Sequence, residues 1–175
     1  FPYTTLFRSI LLFSPMLELK RDYKGCKNKL ISNVGKISKD TRFKVGITPQ
    51  DLTRNDEIIE ETANDGLMLK KVTYSWYNLI NEKMKETMDH IRDIKPISAL
   101  IMYGTNDKIL ETQSINEMKD KLKSKEMYFK VWDGLYHEIH NEPERDLVMR
   151  YVLSFLNNSV NTMGFIVNEE EIEDI

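Results

Sequence analysis

Apolar and polar positions alternate along the chain with two different periods, and the change between them outlines the elements. "ILLFSPML" (residues 10–17) is a short apolar run closed by Ser14-Pro15. It predicts a buried parallel strand ending in a loop, because proline cannot donate to a ladder. From about residue 18 to residue 43 the chain turns polar and basic, with Gly25 and Gly35 as breakers. "GITPQDLTRNDEIIEET" offers Thr53 or Asn55 as the cap of a short acidic helix near residues 57–62. "NDGL" (residues 64–67) reads as a turn. A longer helix is predicted over residues 73–91, with Trp76, Leu79, Ile80, Met84, Met88 and Ile91 on one stripe.

After Pro96 the period shortens. "ISALIMYG" (residues 97–104) is almost continuously apolar, as expected of a strand covered on both faces. "ETQSINEMKDKLKSK" (residues 111–125) reads as an amphipathic helix carrying Ile115, Met118 and Leu122, and "MYFKVWDG" (residues 127–134) as another strand. "NEPERDLVMRYVLSFL" predicts a helix with proline near its first turn, where a missing N–H costs little. Its apolar stripe is Leu147, Val148, Tyr151, Val152, Phe155 and Leu156.

Strand, helix, strand, helix is the signature of an α/β fold with a parallel sheet and flanking helices. The stretch between Leu17 and about Lys95 is too long for an ordinary connection, so a helical cap or lid inserted over about residues 18–94 is expected. The body of the domain is then residues 10–157, and residues 158–175, ending "NEEEIEDI", are expected to be a disordered acidic tail. The opening nonamer FPYTTLFRS shows no fold pattern and, back-translated, resembles the read-through of a sequencing-library adapter. Residues 1–9 are therefore set aside, with the natural chain expected to continue upstream of Ile10.

Composition narrows the function classes. Of the 175 residues 41% are apolar and 30% charged, which suits a globular chain. The net charge of −3 and the dispersed lysines (Lys20, Lys24, Lys27, Lys29) give no electrostatic footprint for nucleic acid. The single cysteine, Cys26, allows no internal disulfide and points toward a reducing, cytoplasmic compartment. No apolar run approaches the roughly 20 residues that span a bilayer.

Chemistry-bearing residues sit just past two predicted strand ends, where open α/β sheets build their sites. "MYGTNDKIL" places Asp107 three residues after Gly104, and "VWDGLYHEIHNE" places His137 three residues after Gly134. A carboxylate on one loop can orient an imidazole on the next and stabilise the imidazolium. Asp107 could equally be a turn residue and His137 a buried structural histidine. "HEIHNE" spaces His137 and His140 by three, not the four that a zinc-binding helix needs, so His140 and Glu142 make a poor metal pair. Ser14 is followed by Pro15 and has no flanking glycine for a nucleophile turn, and nothing orients a base toward Cys26.

The run "ISALIMYGTNDKIL…K…YFKVWDGLYHEIHNEPERD…VLSFL" resembles the C-terminal part of α/β-hydrolases of the monoacylglycerol lipase and lysophospholipase type, grouped with serine aminopeptidases. In that family P-x-L-x-x-x-G-x-x-D holds the triad acid and G-x-x-H-x-x-x-x-E the triad histidine. The resemblance thus implies Asp107 as the acid and His137 as the general base. "ILLFSPML" is similar to the strand after the nucleophile helix and "LTRNDEIIEETANDGLML" to the cap, with Gly66 where proline is usual. It also implies a small amphipathic acyl ester as substrate, no metal or organic cofactor, and a cap available for peripheral contact with a membrane.

The resemblance has a gap. A serine nucleophile of this type sits in G-x-S-x-G, and none occurs in the 175 residues. The missing serine and oxyanion loop are expected upstream of Ile10, and the chain as printed is expected to be inactive. The other class of function open to it is a non-catalytic lipid- or protein-binding module derived from a hydrolase.

Overall fold

The computed structural model describes residues 9–20, 41–94, 98–122 and 127–160. Cys26, most of the basic stretch after Lys20 and the acidic tail beyond residue 160 lie outside the described residues. The central strand is β4 (Ser98–Gly104), flanked in parallel by β1 (Ser9–Phe13) and β5 (Met127–Trp132). Ile10 lies opposite Ala99, and Gly104 opposite Trp132. The strand predicted from residue 10 thus begins at Ser9.

β4 is buried from Ala99 to Gly104 because its alternating side chains enter two different cores. Leu100 and Met102 join Trp132, Val148, Tyr151 and Phe155 under α5 (Arg145–Val160). Ala99, Ile101 and Tyr103 face the other way, toward Ile115 and Met118 of α4 (Gln113–Lys121). A parallel strand covered on both faces needs the continuous apolar run its sequence shows. The α5 stripe holds except at Leu147, which is 39% exposed, and Pro143 precedes the helix. α4 is shorter at both ends than its periodicity suggests.

Between β1 and β4 the chain builds α1 (Pro49–Leu52), α2 (Asp56–Asn64) and α3 (Tyr74–Asp89), followed by a 3₁₀ turn at Ile91–Asp93. Asn55 caps α2 by accepting the Glu57 N–H, and Thr73 caps α3 by accepting that of Trp76. A two-stranded antiparallel ribbon, β2 (Arg42–Lys44) with β3 (Lys71–Thr73), is absent from the sequence reading. Each strand is three residues long, too short to display a period.

The stripe on α3 shifts by one position. Tyr77 and Met84 are buried and Ile80 packs beside them, whereas Trp76 is 46% and Leu79 50% exposed. The reason is Phe43 of β2, whose ring meets Tyr77 edge-on at 5.5 Å. Leu19, Ile109 and Leu110 complete this third core, so the segment after β1 is packed against the loop that follows β4. No helix among the described residues is long and apolar enough to cross a membrane.

Candidate active site

The loops after β4 and β5 are laced together before either carries a functional group. Thr105 N–H donates to the Trp132 carbonyl (2.9 Å) and Asn106 N–H to that of Leu135 (3.0 Å), while Gly134 N–H donates to Thr105 Oγ1 (2.8 Å). Gly104 sits where the loops touch: a Cβ there would lie 2.1 Å from the Leu135 carbonyl oxygen. Gly134, with φ of +76°, turns the second loop.

Asp107 is wholly buried. Its Oδ1 accepts the backbone N–H groups of Ile109 (2.8 Å) and Leu110 (2.9 Å), which fixes the carboxylate plane and leaves Oδ2 for a partner. That partner is His137, whose Nδ1 lies 2.8 Å from Oδ2. The histidine side chain is 23% exposed. Among the described residues no hydrogen bond is made by its Nε2. A carboxylate held by N–H donors acts as acceptor, so Nδ1 carries the proton and the lone pair stays on Nε2. This is the arrangement of a base ready to take a proton at its outer edge.

Three further groups hold this pair; of these only Glu142, the last residue of the G-x-x-H-x-x-x-x-E pattern, is marked in the sequence. Ser14, buried at the end of β1, donates from Oγ to the main-chain oxygen of His137 (2.6 Å), and its own N–H continues the ladder to Met102 (2.7 Å). Its φ of +44° is in the left-handed region, uncommon for a residue with a side chain. The serine hydroxyl therefore anchors the histidine loop and is not directed at the imidazole. Lys20 Nζ donates to the Asp107 carbonyl (2.5 Å).

The third group is Glu142, wholly buried. Its Oε1 accepts the N–H of Tyr136, the residue before His137 (2.7 Å), and its Oε2 accepts Arg54 Nε (2.9 Å) and the Arg54 N–H (3.3 Å). Arg54 also reaches Glu144, and that hydrogen bond is the main cause raising the guanidinium pKa above its ordinary value, against partial burial. Around this pair Thr53 Oγ1 donates to the Asn141 carbonyl (2.9 Å), and Glu138 N–H to that of Leu52 (2.8 Å). The partners lie about ninety positions apart, a separation that no local pattern reveals. His140, the other half of the disfavoured metal pair, is exposed with its ring against Phe13 at 5.5 Å.

Comparison with known proteins gives the family of the chain. The model of the family described as serine aminopeptidase, S33 (Hydrolase_4) matches residues 2–144. The chain belongs to this family. It is an α/β-hydrolase of the S33 kind, similar to lipases and phospholipases. Phospholipase YtpA of Bacillus subtilis is 26% identical over 151 residues, covering 86% of the chain and 58% of that protein. The crystal structure of Paleococcus ferrophilus monoacylglycerol lipase superposes with a TM-score of 0.79 at 20% identity, over 89% of this chain and 60% of that one. A soluble variant of monoglyceride lipase from Saccharomyces cerevisiae, in complex with a substrate analog, gives 0.77 at 14% identity, over 87% and 54%. The S33 chain thus spans somewhat more than half the length of these proteins.

Proposed function

We propose that this chain supplies the acid and the base of a serine ester hydrolase acting on lysophospholipids or monoacylglycerols. The nucleophile would come from polypeptide upstream of Ile10. The observation that carries the reading is the 2.8 Å contact between His137 Nδ1 and the buried Asp107 carboxylate, on two loops past neighbouring strand ends.

In the proposed reaction the serine oxygen bonds to the ester carbonyl carbon while His137 Nε2 takes its proton, and Asp107 stabilises the imidazolium. The tetrahedral intermediate collapses as the bond to the alcohol breaks, and His137 returns the proton to the departing alkoxide. Water, deprotonated by the same nitrogen, then releases the acid from the acyl-enzyme. The segment over residues 18–94 would act as the lid and offer peripheral contact with a membrane. Similarity to a phospholipase and to monoacylglycerol lipases supports the substrate class.

A second reading is a non-catalytic lipid- or protein-binding module, favoured by the absence of G-x-S-x-G from the 175 residues. One experiment separates the two. The native transcript is sequenced across the Ser9–Ile10 boundary, and the protein it encodes is assayed on monoacylglycerol and lysophospholipid. The first reading expects a G-x-S-x-G upstream and turnover that His137→Ala lowers by about 10⁴-fold or more. A message that starts near Ile10, or turnover indifferent to His137→Ala, overturns it.

A further inference from the structure

The Asp107–His137 hydrogen bond is spanned a second time by the residues next to it. Lys108 directly follows the carboxylate and Tyr136 directly precedes the imidazole. The Lys108 ammonium stands over the Tyr136 ring, 4.0 Å from its centroid, well within reach of a cation–π contact. Both residues are half-buried.

A third element seats the ammonium there. Lys108 Nζ donates to the Gln50 carbonyl of α1 (3.0 Å). That carbonyl is free to accept because α1 stops at Leu52: the Arg54 N–H, which a longer helix would turn back to it, donates to Glu142 instead. Among the described residues Lys108 meets no carboxylate, so its charge is shared between one ring and one carbonyl. The backbone lacing of the two loops reaches Leu135, one residue short of Tyr136. Asp107 Oδ1 and the Tyr136 N–H are each held from within their own loop. The Lys108–Tyr136 contact therefore carries the lacing up to the imidazole.

We propose that Lys108 is a positioning residue: seated by the Gln50 carbonyl, it holds the Tyr136 ring and so keeps His137 Nδ1 on the Asp107 carboxylate. The inference deepens the hydrolase reading and rests on it for its meaning in catalysis. It makes the seating of α1 on the two loops a condition for an aligned base.

The test reads the pair itself on the 175-residue chain, through the exchange of the His137 Nδ1 proton with water in nitrogen-15-labelled protein. Where that exchange is too fast to follow, the imidazole nitrogen shifts give the Nδ1–H fraction, with the same order of variants expected. Lys108→Met keeps the stem and removes the charge, whereas Lys108→Arg keeps a cation that can stack and donate. Exchange should quicken about fivefold in Lys108→Met and return to within about twofold of wild type in Lys108→Arg. Tyr136→Leu leaves the backbone N–H on Glu142 and should match Lys108→Met. The two together should do no more than either alone, because they remove one contact. Unchanged exchange in Lys108→Met, an arginine no better than methionine, or effects that add in the double variant would each overturn the proposal. In the intact protein with its nucleophile, Lys108→Met should lower kcat about fivefold and leave KM in place. If wild type there hydrolyses no ester, the hydrolase reading fails, and the exchange rates still decide whether Lys108 holds the pair.

Discussion

At Gly104 the two site loops are in van der Waals contact through backbone alone, and a single methyl group is enough to separate them. Gly104→Ala would push a Cβ into the Leu135 carbonyl, so the loops must part. The expected cost is about 3 kcal/mol, the upper range for overpacking, read as a lower urea midpoint with unchanged slope. A different residue decides which nitrogen of His137 carries the proton. With Asp107 present the neutral ring should be the Nδ1–H tautomer. In Asp107→Asn the side-chain amide can donate to Nδ1, which favours the Nε2–H tautomer. Nitrogen chemical shifts of the imidazole read this directly on the chain as it stands, with no need for a nucleophile. An Asp107→Asn spectrum identical to wild type would remove Asp107 from the orienting role.

Among elements, the stretch joining α1 to α2 is bound to the histidine loop more firmly than its surface position suggests. Glu142 is the centre of that junction, holding Tyr136 on one side and Arg54 on the other. Removing its carboxylate strands the Tyr136 N–H and leaves Arg54 with Glu144. Breaking a fully buried pair costs about 3–5 kcal/mol, and the partial exposure of Arg54 brings the expected loss in Glu142→Ala to about 2 kcal/mol. Hydrogen exchange at the Tyr136 amide should quicken in this variant, and a rate equal to that of wild type would place the anchor elsewhere. Ser14→Ala should weaken the same loop from its other side by about 1–2 kcal/mol, because the His137 carbonyl loses its donor.

What the sequence displays and what it hides follow from the range of the interactions. β1, β4, β5 and α5 are set by apolar periodicity that each segment carries alone, and the loops after β4 and β5 are marked by glycine, aspartate and histidine close together in the chain. The ribbon and the α3 face are set by Phe43 meeting Tyr77, thirty-four residues away, so the local pattern chose Trp76 where the structure buries its neighbour. Thr53 and Ser14 act through backbone far away in the chain, and Arg54 through the equally distant side chains of Glu142 and Glu144. In the sequence Glu142 closes the G-x-x-H-x-x-x-x-E pattern, but nothing local says what its carboxylate holds. Its burial against Tyr136 and Arg54 supplies that answer.

For the molecule as a whole, the Asp107–His137 pair proposed as acid and base is in place while the 175 residues contain no G-x-S-x-G. The chain by itself should therefore give no hydrolysis of short acyl esters above background. Turnover that survives Ser14→Ala and vanishes with His137→Ala would reveal another nucleophile. The three-stranded sheet carries one more consequence. β1 pairs with β4 along one side, and among the described residues no strand lies along the other. Such an edge accepts an added strand through main-chain hydrogen bonds. Nucleophile and base could then be delivered on two separate polypeptides, the first docking its own strand against Ile10–Phe13. On the proposed hydrolase reading, co-expression with a nucleophile-bearing segment is expected to give activity that rises with the product of the two concentrations, and finding none would count against that reading.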